Sequence, residues 1–125
     1  MQRNMDLVRT ILMRMEGNSS GWAPNDLGIK GFSPGEVGYH CHIMMQEGLI
    51  EGTDTTAKLS VGPEAMPSSL TWKGHEFLDL ARDQERWNRA KALIAKVGSA
   101  PISVWTKVLN DLLWKSVEAV AAKQG

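Results

Sequence analysis

Between residues 5 and 16 apolar side chains recur at Met5, Leu7, Val8, Ile11, Leu12 and Met15, close to the helical period, while Arg9, Arg14 and Glu16 fall on the other side. This pattern predicts an amphipathic helix that Asn4 or Asp6 can cap and Gly17 can end. Periodicity then stops. Residues 17–32 hold four glycines, a proline and two serines, the composition of a loop, with a short strand possible over residues 26–32 if Leu27, Ile29 and Phe32 point inward. From residue 33 the signals become dense. Ser33 can accept a hydrogen bond from an orphan N–H, Pro34 suits the first helical position and Glu36 completes a capping box. Val37, Cys41 and Met44 then mark one buried face, and Gly48 can close the helix in the left-handed conformation before Leu49 and Ile50 turn into a strand.

Residues 49–53 and 70–72 are the best strand candidates, joined by a long connector in which residues 58–61 can extend a strand. Thr71 resembles an N-cap for a helix over residues 73–82, with Phe77, Leu78 and Ala81 inward. That helix continues or re-forms over residues 83–97 around Trp87, Ala90, Leu93 and Ile94. Gly98 to Pro101 breaks it, and a last helix over residues 102–123 carries an apolar stripe too wide for a helix with one covered face. The fold class expected is α+β: mostly helical with a small antiparallel sheet. Residues 1–97 form the main domain and residues 98–125 a C-terminal helix that packs or dimerises, with Trp105, Leu109, Leu112, Leu113 and Trp114 as its interface candidates.

The run from Ser33 to Thr53, a capped helix ending in Gly-Leu-Ile and entering a strand, resembles the recognition helix and first wing strand of a winged helix-turn-helix. Four stretches in this order, MDLVRTIL, SGWAPNDLGIKGFS, EVGYHCHIMMQEGLIEG and LTWKGHEFLDLARDQERWNRAK, are similar to a family of small bacterial and prophage-borne proteins catalogued as a domain of unknown function. The run from Leu70 to Asp79 is also similar to the segment after the wing in MarR-like and PadR-like regulators. The resemblance implies a winged-helix core and brings no established activity with it; the function expected from a winged helix is that of a regulator of a prophage or mobile element that binds double-stranded DNA. On that pattern Gly35, Gly38, Tyr39 and His42 face the groove, and Lys58 in the wing, with Arg9 and Arg14, touches phosphates. The groove-facing side has no Lys or Arg, which motivates the alternative of a protein-interaction module, such as a prophage accessory or antitoxin-like protein, that does not bind DNA.

Charge divides the chain although its net value is zero. Residues 1–81 hold 6 Lys+Arg against 10 Asp+Glu, and residues 82–125 hold 8 against 4. The basic surface that nucleic acid requires therefore lies on the first helix or in the C-terminal helices, where Arg82, Arg86, Arg89, Lys91, Lys96 and Lys107 can form a stripe, and not on the candidate recognition helix, and an acidic and a basic part in one chain invite self-association, here a homodimer. No run approaches the ~18 apolar residues of a membrane span, the start lacks the apolar core of a signal peptide, and the lone Cys41 has no internal disulfide partner. The expected location is the cytoplasm, away from the membrane.

Catalytic constellations are not expected. His40, Cys41 and His42 are adjacent on a helix and point about 100° apart, so they cannot converge on one ion, and no metal or other cofactor is expected. His75 and Asp79 share a helical face, where an acid/base pair competes with a hydrogen-bonded histidine near a helix N-terminus. No Ser-His-Asp set, phosphate-binding glycine loop or Cys-x-x-Cys pair is present, so the chain does not read as an enzyme. Trp22, Trp72 and Trp87 are expected to pack where loops and helices meet the core.

Overall fold

The computed structural model describes residues 1–124. Its elements in chain order are α1 (Met5–Met15), α2 (Pro34–Glu47), β1 (Ile50–Asp54), β2 (Ala65–Leu70), α3 (Trp72–Ala81), α4 (Gln84–Ala95) and α5 (Ile102–Gln124), which makes the fold α+β. The chain separates into two compact units, Met1–Leu78 and the residues from Asp79 onward.

In the first unit α1 packs on α2 and β2, and α2 packs on both strands. Leu7, Ile11 and Leu12 are fully buried, each worth about 1.5–3 kcal/mol of transfer free energy. Capping follows the local chemistry. Asn4 accepts from the N–H of Leu7 at 3.2 Å. Ser33 and Glu36 form the reciprocal capping box at 3.1 and 3.0 Å, and Gly48 closes α2 at φ 83°. Thr71 caps α3 by accepting from the N–H of Gly74 at 3.0 Å, and its own hydroxyl donates to the Gly48 carbonyl at 2.5 Å.

The strands are antiparallel, with a register shift between Glu51 and Gly52 that sets Gly52 opposite Pro67. Pro67 has no N–H to give to a ladder, and a bulge at this point absorbs the mismatch. On the other side of β2 the Ser68 carbonyl accepts from the N–H of Ala23 at 2.7 Å.

Several expectations need correction. Residues 26–32 are irregular: Gly28 and Gly31 take φ values of 63° and 87°, which no extended strand allows, and Asp26 accepts from the N–H of Gly28 at 2.9 Å in a side-chain-closed turn. Residues 58–61 form a turn, with the Ser60 N–H donating to the Ala57 carbonyl at 3.0 Å. Leu59 and Val61 there are 95% and 109% exposed, so no packing surface exists to hold a strand. The second strand lies earlier than expected, at Ala65–Leu70, because Thr71 caps the next helix and Trp72 becomes its first residue. Trp22 and Trp72 are 64% and 81% exposed and do not pack as expected.

The second unit pairs α4 with α5. Asp83 caps α4 by accepting from the N–H of Arg86 at 2.8 Å. Trp87 is fully buried and stacks on Trp105 with ring centroids 4.8 Å apart, and Ala90, Ile94, Leu109 and Leu112 complete the core. Among the described residues no helix is long and apolar enough to cross a membrane.

Candidate functional site

Helix α2 turns three faces to three environments. His40, Cys41 and Met44 are buried. Nε2 of His40 accepts from the N–H of Asn4 at 2.9 Å, and Nδ1 lies 2.8 Å from the Glu36 carbonyl, to which it donates. An acceptor at one nitrogen and a donor at the other define the tautomer and the neutral ring. His40 is thus a structural tie between α2 and the residue that caps α1. Cys41 is covered, and burial pushes its thiol up from 9.0 to about 11, which makes it a small core residue with little thiolate.

The second face of α2 meets the hairpin. Gly38 lies under Glu64, and a Cβ at Gly38 would come 3.1 Å from that of Glu64. His42 lies 3.5 Å from a carboxylate oxygen of Asp54. The Asp54 carboxyl is held below the usual range, chiefly by the Thr56 hydroxyl and its backbone N–H and to a lesser degree by His42. The outward face presents Gly35, Tyr39 and Gln46, with Tyr39 half-buried against the His40 ring edge at 5.9 Å. A hollow of about 600 Å³ opens here between Gly35, Glu36 and Tyr39 on α2 and Val61, Gly62 and Pro63 on the hairpin.

The structure brings Gly35, Tyr39 and His42 near the hairpin but separates the cations expected to serve them. Lys58 is exposed on the turn and Arg14 is exposed beside Gly28. Arg9 is only 9% exposed and engaged within the protein, which removes it from the set that reaches phosphate. Gly38 is likewise not open to a groove, because Glu64 lies over it. Sequence reading missed Asp54 and Glu64, although the Asp-x-Thr spacing of Asp54 and Thr56 announces a side-chain-closed turn, seen as a 2.9 Å bond from the Thr56 N–H.

His75 is exposed, and Asp79 forms an ion pair with Arg82 at 3.7 Å. Arg86 donates to the carbonyls of Leu80 and Asp79 at 2.9 and 3.1 Å and so satisfies the open end of α3. Lys107 pairs with Asp111 at 2.9 Å. Part of the basic stripe is therefore structural. On α5, Trp105, Leu109 and Leu112 are buried in the chain itself, which corrects their reading as interface residues, whereas Leu113 is half-buried and Trp114 is 57% exposed.

The profile of a family described as "Hypothetical protein (DUF2513)" matches residues 2–100, a stretch that ends before α5. The chain is also similar to a Haemophilus influenzae protein described as uncharacterized, with 37% identity over 97 residues that cover 75% of this chain and 79% of that protein. No solved structure matches it.

Proposed function

The chain belongs to this family of hypothetical proteins, and from that premise we propose that it is a non-catalytic interaction protein in which a winged-helix frame binds a protein partner through α2 and its hairpin. The order helix, left-handed glycine, strand, long loop, strand from Pro34 to Leu70 supports the frame, with α2 as recognition helix and residues 55–64 as wing. One observation carries the choice of partner. Residues 33–70 contain a single cation, Lys58, against Glu36, Glu47, Glu51, Asp54 and Glu64. Duplex DNA carries one negative charge per ~1.7 Å of axis, and its binding draws on cations that displace counterions. A face that presents carboxylates to that field is repelled by it. The wing tip instead presents Leu59 and Val61 to solvent, and Tyr39 lines the hollow behind them, a combination of apolar tip and aromatic anchor that suits a protein surface.

A second reading, a DNA-binding regulator acting as a homodimer in the cytoplasm, is favoured by the exposure of Lys58 and Arg14 and by the basic excess after residue 81. In it Tyr39, His42 and Gly35 enter the major groove. Anisotropy of a random-sequence duplex across a salt series separates the two. Two phosphate contacts give a slope of about −1.8, roughly tenfold weakening from 50 to 200 mM salt, against about 10³–10⁵ for a protein making six or more contacts. Absence of binding at low salt, with a partner captured by the wild type and lost in the Leu59→Asp, Val61→Asp variant, supports the interaction reading. Steep salt-dependent DNA binding overturns it in favour of the regulator.

A further inference from the structure

Glu64 stands between two hollows. On one flank of the first turns of α2 lies the hollow behind the wing tip, where Tyr39, Val61 and Pro63 meet. On the other flank a second hollow, of about 570 Å³, opens between residues 25–32, α2 and β2, with Leu27, Phe32, Val37 and Met66 in its wall. Glu64 lines both. It reaches that place because α2 carries no side chain beneath it: a Cβ on Gly38 would stand 3.1 Å from the Cβ of Glu64 and 3.8 Å from its Oε2. Gly35, one turn earlier on the helix, lengthens the bare strip.

Charge at this saddle is one-sided. Asp26, Glu36 and Glu64 line the two hollows and no Lys, Arg or His side chain does, which leaves Met1, through its α-amino group, as the one lining residue able to carry a positive charge. Each carboxylate uses one oxygen inside the protein, Asp26 for the Gly28 N–H, Glu36 for the Ser33 N–H and Glu64 for the Ser60 hydroxyl. Among the described residues the second oxygen of Glu64 accepts no hydrogen bond and pairs with no cation. A half-buried carboxylate with an open oxygen between two apolar hollows restricts what can cover them. Apolar groups alone, filling both hollows, would strip water from Glu64 and leave its charge unpaired. A cation set on Glu64 removes that cost, and the charge-assisted bond gains from the apolar walls beside it.

We propose that the two hollows act as one cleft for a basic segment of the protein partner: a Lys or Arg side chain sits on Glu64, and an apolar residue on each side of it enters the hollow on either flank of α2. This seating rests on the protein-binding reading of α2 and the hairpin and gives the bound segment its chemistry.

Selection of random dodecapeptides displayed on phage against the immobilised full chain, followed by fluorescence anisotropy of the synthetic consensus peptide, tests it. The expected consensus holds a Lys or Arg flanked by apolar residues, and its affinity falls with salt. Glu64→Gln, which keeps the shape of the side chain and an acceptor for Ser60, is expected to weaken the peptide about tenfold with the urea midpoint unchanged. Glu64→Lys weakens it further, and a peptide carrying Glu in place of its basic residue then recovers most of the loss. Gly35→Leu, whose new Cβ meets nothing closer than the Ser33 hydroxyl at 3.9 Å, narrows the Tyr39 hollow and is expected to weaken the same peptide. A consensus without a basic residue, no consensus at all, or a peptide that Glu64→Gln holds as tightly as the wild type does overturns the basic seat. The protein-binding reading survives each of these results if a captured partner is still lost in the Leu59→Asp, Val61→Asp variant. Failure of that reading has the opposite sign: a duplex held by this face binds more tightly once Glu64→Gln removes a negative charge.

Discussion

The carbonyl oxygen of Leu49 occupies the space that a Cβ on Gly74 would need. The same oxygen accepts from the N–H of Thr71 at 3.2 Å, so the first turn of α3 is pinned directly onto the backbone where α2 hands over to β1. Neither side can yield cheaply, because the clash is with main chain on one side and with a capped helix turn on the other. Gly74→Ala is expected to cost about 2–3 kcal/mol as an overpacked site. A urea midpoint that falls with the slope unchanged is the result that bears this out.

His40 binds backbone through both ring nitrogens and is 1% exposed. Its replacement by Ala leaves a cavity and strips the Asn4 N–H of its acceptor, a loss of about 2–3 kcal/mol. Hydrogen exchange at the Asn4 amide should accelerate at the same time. An Asn4 amide that exchanges at the wild-type rate would sink the assignment of Nε2 as acceptor.

Cys41 makes two expectations that share one cause. With its thiol at about 11, roughly one molecule in 10⁴ carries the thiolate at neutral pH, so iodoacetamide should modify the native chain orders of magnitude more slowly than the urea-unfolded one. The folded value lies above the ordinary 9.0, so the stabilisation is complete below about pH 9 and disappears as pH rises toward 11. The alkaline fall in the urea midpoint should be shallower in Cys41→Ala.

Asp54 runs the other way. Its folded value is depressed, so its contribution is present above the ordinary carboxylate range and is lost as pH falls below it. Because Thr56 is the larger cause and His42 the smaller, Thr56→Val should raise the NMR titration midpoint of Asp54 more than His42→Ala does. The reverse order would show that the 3.5 Å pair with His42 dominates.

In the second unit Trp87 is the element that nothing else can replace. Its ring is fully buried on Trp105, and Trp87→Ala is expected to cost about 3–5 kcal/mol and to lower the thermal midpoint of α4 and α5 helicity.

What the sequence made legible was local. Ser33 with Glu36, Gly48 and Thr71 cap or close their helices as their chemistry dictates within three or four residues, whereas the start of α4 at its Asp83 cap was not read from the sequence. The outward position of Tyr39 likewise followed from helical spacing alone. Features set by distant parts of the chain were not legible. Whether Trp22 and Trp72 pack depends on what comes to lie over them, and among the described residues both stay mostly exposed. Glu64 covers Gly38 from 26 residues away, and Asp54 reaches His42 from 12, through a hairpin register that the bulge at Gly52 shifts. The loop at residues 26–32 is an intermediate case: Gly28 and Gly31 carried the signal for positive φ, but the alternation of Leu27 and Ile29 spoke for a strand. On α5 the width of the stripe was visible, and its division into a covered and an open half follows from α4 being the shorter helix.

The hairpin is sealed at its mouth by three bonds, the Thr55 N–H and the Thr56 hydroxyl to the Glu64 carbonyl at 3.0 and 3.2 Å and the Glu64 N–H to the Thr56 hydroxyl at 2.9 Å. Residues 57–63 lie beyond that seal and put no side chain into the core. They behave as an exchangeable cassette: sequence and length can be swapped there at little entropic cost while the frame stays as it is. A stretch of seven residues can then change its surface chemistry while the helices and the two strands keep their places.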